Sequence, residues 1–546
     1  MSEINCAATT FVSIETGQFD GQIMTPSERV DQETVFAFIQ SLPADDPDHR
    51  GIQRIDTGAN VIFLTGKKAY KIKRDVQYPF LDYSTLALRK RACEREIELN
   101  APHAPQIYLS AKPITRSPEG HLEIDGDGKP VEWLVEMTQF DRANELERLA
   151  EGPPLSTALA DDLAQMMVNA HDHAPKREGQ RFFDELSKYL AQNEAAFAET
   201  PELFPPEEAA RLSHASRELL SRLKPLILSR GDTGLIRLCH GDAHTRNIVL
   251  IEGKPMLFDA VEFSDDIATC DVLYDLAYLL MDLWHLDQRA TANRIFNRYL
   301  DISRRVEDQS GLAALPFYLM MRACLRAKIS ASNARFQTDP TERATLEDDA
   351  RSYFRLAQEF LAAEQPYFAA IGGFSGTGKT TAAYGLAPHL SPAPGARVLR
   401  TDVERKRALG LNETDAPPEG TYTKEKSDSV YAQLQENAST CLMARHSVIF
   451  DGVLARDTER QRLESIAAEN GAAFKGIWLT APLHVAKSRV LARTNDASDA
   501  TPEVIETQAG YDLGEMTWDQ VEAGTSANAT LASILSSLKL PKETTD

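Results

Sequence analysis

Cationic charge is scarce in this chain. Its 546 residues hold 59 Lys and Arg against 81 Asp and Glu, a net charge of −22. Broad contact with nucleic acid or an anionic membrane needs a cationic surface, so neither is expected as a partner. A local nucleotide pocket stays open, because it asks for only a few donors and cations. Cysteine is sparse as well: Cys6, Cys93, Cys239, Cys270, Cys324 and Cys441. No two form a CxxC pair, which argues against a zinc or dithiol motif and for buried thiols in a reducing compartment. Met1–Gly17 lacks the basic stretch and apolar run of a secretory signal. Long apolar runs are missing too. The most apolar, Val272–Leu283, is broken by Asp275 and Asp282 and predicts a buried helix, not a membrane span. A cytoplasmic protein is expected, and no feature sets its oligomeric state.

The length is too great for one core. Residues 1–50 form a polar N-terminal arm with one short helix around Glu33–Leu42. A first domain is expected over 51–340. It opens with a hairpin of Val61–Leu64 and Ala69–Lys73, followed by a helix over Ser84–Asn100, a strand at Val131–Met137 and helices over most of 155–335. Residues 341–365 predict a connecting helix whose apolar face carries Leu346, Ala350, Tyr353, Ala357 and Phe360. Pro366 ends it. From 366 to 546 strands and helices alternate, with strands at Tyr367–Ile371, Arg397–Leu399, Ser447–Phe450 and Gly476–Leu479. That alternation predicts an α/β domain with a parallel sheet.

Gly373-Phe374-Ser375-Gly376-Thr377-Gly378-Lys379-Thr380 fits the P-loop pattern in full, after an apolar strand and before a helix. Glycines let backbone N–H groups turn inward around phosphates. Gly373, Ser375, Gly376, Thr377, Gly378, Lys379, Thr380 and Thr381 are therefore candidate nucleotide-binding residues, with Thr380 also a candidate Mg²⁺ ligand. Asp451, at the end of an apolar strand, is placed as a second metal-site acid. Asp402, read as ending the second strand, is the candidate catalytic base, and Arg405 nearby the candidate substrate-binding cation. Arg489 and Arg493 share a helix face before a polar loop, Thr494–Thr501, that reads as a lid. A solvated helix face is the plain alternative for the arginine pair, and a helix N-cap for Asp402.

A second motif lies far upstream. His240-Gly241-Asp242 with Asn247 has the spacing HxDxxxxN, in which Asp242 orients or deprotonates an acceptor hydroxyl and Asn247 binds a metal. Asp259 follows an apolar run and is placed as the main Mg²⁺ carboxylate. Lys71 on a predicted strand is the candidate for the α/β-phosphates, and Glu96 its ion-pair partner, with Glu94 second. Each residue alone reads as a turn former or a solvated charge. Their order and their element types make them a set. His244 is read as a structural or loop-orienting residue, and His171 and His173 as core or surface histidines, not ligands.

The 366–540 segment resembles the small P-loop kinases that include gluconate kinase and zeta toxins. Residues 50–335 resemble the aminoglycoside phosphotransferase and choline-kinase-like superfamily, through His240–Asn247 and Asp259 followed by Glu262. The resemblance implies a protein-kinase-like α+β domain joined to an α/β P-loop kinase domain, both using ATP and Mg²⁺. One departure stands out: the hairpin Asp56-Thr57-Gly58-Ala59-Asn60 has one glycine and no GxGxxG. The reading is a phosphotransferase with two kinase sites acting on small hydroxyl compounds. The alternatives are a P-loop kinase with a regulatory kinase-like domain, or a non-enzymatic nucleotide-gated interaction protein.

Overall fold

A computed structural model describes residues 30–46, 51–78, 81–362, 364–413, 415–418, 421, 423–492 and 497–538. The chain divides into two compact units. One comprises Met1–Leu286 and Phe317–Glu359, the other Asp287–Pro316 and Phe360–Asp546.

The first unit opens on a six-stranded antiparallel sheet. Its strands run in the order Gln53–Asp56, Asn60–Leu64, Lys68–Lys73, Lys129–Thr138, Tyr108–Arg116 and Leu122–Ile124. The second and third form the expected hairpin, turning at Gly66 with φ +114°. A Cβ there would lie 2.5 Å from the Asp46 Cβ, so the turn needs glycine. The helix Leu86–Asn100 starts where the Thr85 side chain accepts from the Leu88 amide. Ala92, Cys93, Glu96 and Asn100 form its buried stripe. Arg89 anchors it to Glu132 of the Lys129–Thr138 strand at 2.8 Å.

The rest of this unit is mostly helical, with short two-stranded pairings of Gln77–Tyr78 with Leu81–Asp82, Ile236–Leu238 with Thr269–Asp271 and Ile248–Ile251 with Lys254–Leu257. The helix Val272–His285 is buried on nearly every side. Asp271 caps it by accepting from the Leu273 amide, and pairs with Arg230 at 2.6 Å. Helix Pro340–Leu361 buries the apolar face read from the sequence: Leu346, Ala350, Tyr353, Ala357 and Phe360 are all inside. Within this unit Phe354 packs on Phe197 and Phe204, and Tyr353 donates to Asp282.

The second unit holds a five-stranded sheet, parallel throughout. Its order is Arg397–Arg400, Val448–Asp451, Tyr367–Gly373, Ala473–Thr480 and Asp519–Glu522. Four of these strands are visible in the sequence. The fifth is not, because at the sheet edge only Val521 of its four residues is buried, leaving no apolar run.

The division differs from the sequence boundaries in two places. Most of the helix expected as a connector belongs to the first unit. Residues 287–316, expected to continue the first domain, belong to the second. There, on the helix Arg289–Ser303, Asn293 donates to Pro394 O and Ala396 O, and Asn297 Oδ1 accepts from the Val398 amide. Asp301 pairs with the buried Arg397 at 2.5 Å.

Candidate active sites

In the first unit a buried charge cluster joins strand, helix and loop. Lys71 Nζ lies 2.9 Å from Glu96 Oε1 and 2.7 Å from Asp259 Oδ1. Burial opposes charge on Lys71, but Asp259 and then Glu96 outweigh it and raise its pKa well above the ordinary value. Lys73, on the same strand face, forms ion pairs with Glu96 and Glu262. Burial pushes the Glu96 carboxyl up, yet Lys71 and Lys73 together pull it down to about 2. Glu94, the second choice for the lysine partner, is exposed and sits near Lys90.

The loop 240–247 is fixed by its own side chains. His240 Nδ1 accepts from the Asp242 amide, so Nε2 carries the proton that it donates to Phe258 O at 2.9 Å. That bond ties the loop to the segment bearing Asp259. Asp259 has φ +62°, and its amide donates to Tyr108 Oη. Asn247 Nδ2 donates to the Asp242 carbonyl at 2.9 Å and to its carboxylate at 3.0 Å. His244 accepts from the Arg246 amide on Nδ1 and faces Asp242 Oδ2 with Nε2 at 3.4 Å. Burial raises the Asp242 pKa, but His244, His240 and Arg322 hold it below the usual carboxylate range. Asp242 is therefore ionised at neutral pH.

From beneath, Asp275 accepts from the Gly241 amide and contacts His171 at 3.1 Å, while Asp282 accepts from the Thr245 amide. His171 is thus part of the loop's support and His173 lies at the surface. The 57–60 hairpin is closed on itself: the Thr57 amide donates to Asn60 O, and the Asn60 amide to Thr57 Oγ1.

In the second unit the loop after Tyr367–Gly373 leads into the helix Lys379–Leu386. Gly373, Gly376 and Gly378 all have positive φ. A Cβ on Gly376 would lie 2.4 Å from Ala486 O. Lys379 Nζ donates to Phe374 O at 3.0 Å, and Thr380 Oγ1 to Asp451 Oδ2 at 2.6 Å. Burial raises the Asp451 pKa, with Lys379 and Arg400 opposing. Arg489 Nη1 reaches the carbonyls of Gly376 and Thr377 at 3.5 and 3.4 Å. Ser375, Thr377 and Thr381 lie on the loop and first helical turn. Arg493 and part of the expected lid, 494–496, lie outside the described residues.

Asp402 does not end a strand. The strand stops at Arg400, and Asp402 sits in the first turn of the helix Thr401–Ala408, where the helix dipole favours a carboxylate. Arg405, on the same helix, is buried and donates to Ser427 Oγ at 3.2 Å.

Several side chains at these sites have no motif to announce them. Lys73 is visible only as a second lysine two residues along a strand. Gln508 Oε1 accepts from the Ser375 amide at 2.7 Å across 133 residues of chain. Arg322 donates to Gly241 O from a helix far downstream.

Comparison with known proteins divides the chain by sequence, and the first match runs on into residues 287–314 of the second unit. Residues 88–314 match the phosphotransferase enzyme family, and residues 369–511 match an AAA domain. An uncharacterized protein of Mycobacterium tuberculosis is 29% identical over 471 residues, covering 84% of this chain and 90% of its own. A gluconokinase from Sinorhizobium meliloti aligns with 32% of this chain and 92% of its own, at 18% identity and a TM-score of 0.24. An aminoglycoside phosphotransferase from Alicyclobacillus acidocaldarius aligns with 63% of this chain and 96% of its own, at 12% identity and a TM-score of 0.33. The chain thus joins a kinase-like domain of the phosphotransferase enzyme family to a P-loop kinase domain with a parallel sheet.

Proposed function

We propose that each unit is a phosphotransferase for small hydroxyl compounds. The observation that carries this reading is that each unit assembles its own constellation of lysine, acid and shaped loop from separate elements. The residues present fit Mg·ATP: the positive-φ glycines of 373–378 form a cradle open to phosphate oxygens, and Thr380 with Asp451 forms a hydroxyl–carboxylate pair suited to Mg²⁺. Mg·ATP supplies the transferable phosphoryl group and the metal's charge.

In the first unit Lys71, held by Glu96, serves the α/β-phosphates. Asp259 and Asn247 serve the metal. Asp242 is ionised and accepts a hydrogen bond from the acceptor hydroxyl, which orients the oxygen for attack. In the second unit Lys379 leaves Phe374 O for the phosphates, Arg489 lies beside the loop, and Arg493 is assigned a part in closing over the nucleotide. Asp402 orients the acceptor, with Arg405 contributing positive charge. Buried free thiols at Cys93, Cys239, Cys270, Cys324 and Cys441 suit a reducing cytoplasm.

A second reading, a regulatory first unit, is favoured by the closed 57–60 hairpin, which uses two of its own amides internally. ATP turnover with a panel of hydroxyl compounds separates the two. Asp242→Ala and Lys379→Ala should each remove one activity by about a hundredfold or more and spare the other. A wild-type chain that transfers phosphate to no alcohol and not to water sinks the enzymatic reading. Activity lost with Lys379→Ala alone favours the regulatory one.

A further inference from the structure

Beside Asp242 lies a cavity of about 60 Å³, bounded by the helices Gly179–Glu199 and Leu315–Phe336 and by 261–267. A space of this size holds more than one water molecule. Phe263, Tyr274, Met321, Leu325 and Ile329 give it an apolar wall. Its charged lining is Asp242, Arg322 and Lys328: one carboxylate against two cations.

The two cations differ. Arg322 is held in place, stacked over Tyr274 at 3.9 Å and Tyr278 at 4.5 Å, and donates to Gly241 O and Tyr274 O. Its Nη2 stands 3.8 Å from Asp275, is buried, and makes no hydrogen bond among the described residues. Asp275 also serves Gly241 and His171, so its charge is shared. Lys328 is 3% exposed. Burial brings its pKa down to about 8, with Cys324 opposing weakly. An anion in the cavity would offset the desolvation of the charge on both side chains. The Asn193 side chain, which also lines the cavity and is 4% exposed, has Oδ1 without a hydrogen-bond partner among the described residues. The cavity therefore combines a hydroxyl-orienting carboxylate, an unsatisfied amide group and an excess of positive charge. A polycationic acceptor would meet like charge here.

We propose that this cavity receives a small alcohol carrying an anionic group, its hydroxyl directed to Asp242 and its anion to Lys328 and Arg322. The proposal rests on the phosphotransferase reading only for the fate of the hydroxyl; the selectivity is a property of binding. A carboxylate and a phosphate monoester share the required charge, and the test distinguishes them.

The test is calorimetric titration of the whole chain, without nucleotide, with four probes: 3-hydroxybutyrate, its neutral amide, glycerol 3-phosphate and choline. At least one anionic probe should bind saturably, about tenfold or more tighter than the amide and choline. Preference between the two anions identifies the group. Lys328→Met should abolish the preference, and Lys328→Arg should keep part of it. Thermal melting of Lys328→Met beside wild type and the charge-keeping Lys328→Arg separates loss of binding from loss of fold. Choline or the amide binding as tightly as the anions overturns the proposal. So does anion binding indifferent to Lys328→Met, or no anion binding up to millimolar concentration. Bound probes are then assayed with ATP. Failure to phosphorylate them would count against the enzymatic reading alone and leave the binding result standing.

Discussion

Lys71 and Lys73 share one face of a strand, and both ammonium groups reach Glu96. The arrangement has a pH signature. Glu96 has a folded pKa of about 2 against an ordinary 4.5, so its contribution to stability is present above pH 4.5 and is lost as pH falls toward 2. The shift corresponds to about 3 kcal/mol. Glu96→Gln keeps the shape but leaves the two lysines to Asp259 and Glu262. It should destabilise the first unit by about 3 kcal/mol at pH 7, and its stability should fall less steeply than wild type between pH 4.5 and 2. Urea midpoints at pH 7, 4.5 and 3 check both; equal acid sensitivity in the variant would assign the effect to other carboxylates. The pairing of Lys71 with Glu96 was legible from their order along the chain and their element types. The part of Lys73 was not. Strand alternation puts it on the face of Lys71, but no local pattern says that this face is the buried one.

At the scale of elements, the loop 373–380 is the most local of the devices, and the sequence shows it most clearly. Strand, loop and helix follow without interruption, and each glycine has a conformational task. Gly376→Ala should test how far that task extends. The new methyl meets Ala486 O and the backbone is held at φ +80°, so the loop must shift. Nucleotide affinity of the second unit should drop more than about tenfold, with a loss of about 2 kcal/mol in stability. Fluorescent-nucleotide titration in an Asp259→Ala background reads the second site alone, and unchanged affinity would show that the loop tolerates the shift. Contacts that cross long stretches of chain escaped the sequence. Gln508 reaches the loop from a helix whose own pattern is unremarked, and Asp519–Glu522 completes the sheet with a single buried side chain. Val398 and Leu399 suggest a strand that carries on to Asp402, but the strand stops at Arg400 and the helix starts at Thr401.

For the whole molecule, the path of the chain matters more than its motifs. The alternation of strands and helices announced the second unit, but residues 287–316 carry the helical periodicity of the preceding segment and gave no sign of a different home. Periodicity reports that a face is buried, not against what. Asp301, Asn293 and Asn297 provide the answer through Arg397, Ala396 and Val398. A fragment of 366–546 should therefore fold poorly. Without Asp301 the buried Arg397 loses its carboxylate, a cost of about 3–5 kcal/mol before lost packing is counted. Solubility and circular dichroism of 366–546, with and without a covalently joined 287–316 segment, test this. Equal stability of the two would mean that the segment is dispensable.

That excursion also bears on how such a chain is inherited. Two domains joined end to end can be separated by one break in the gene, and either half can be lost or recruited elsewhere. Here the coding sequence for the P-loop unit lies in two pieces on either side of 317–359. A single break in the gene cannot release both units whole, so a lineage that sheds one site should do so by point changes in its acids and lysines, with the scaffold kept.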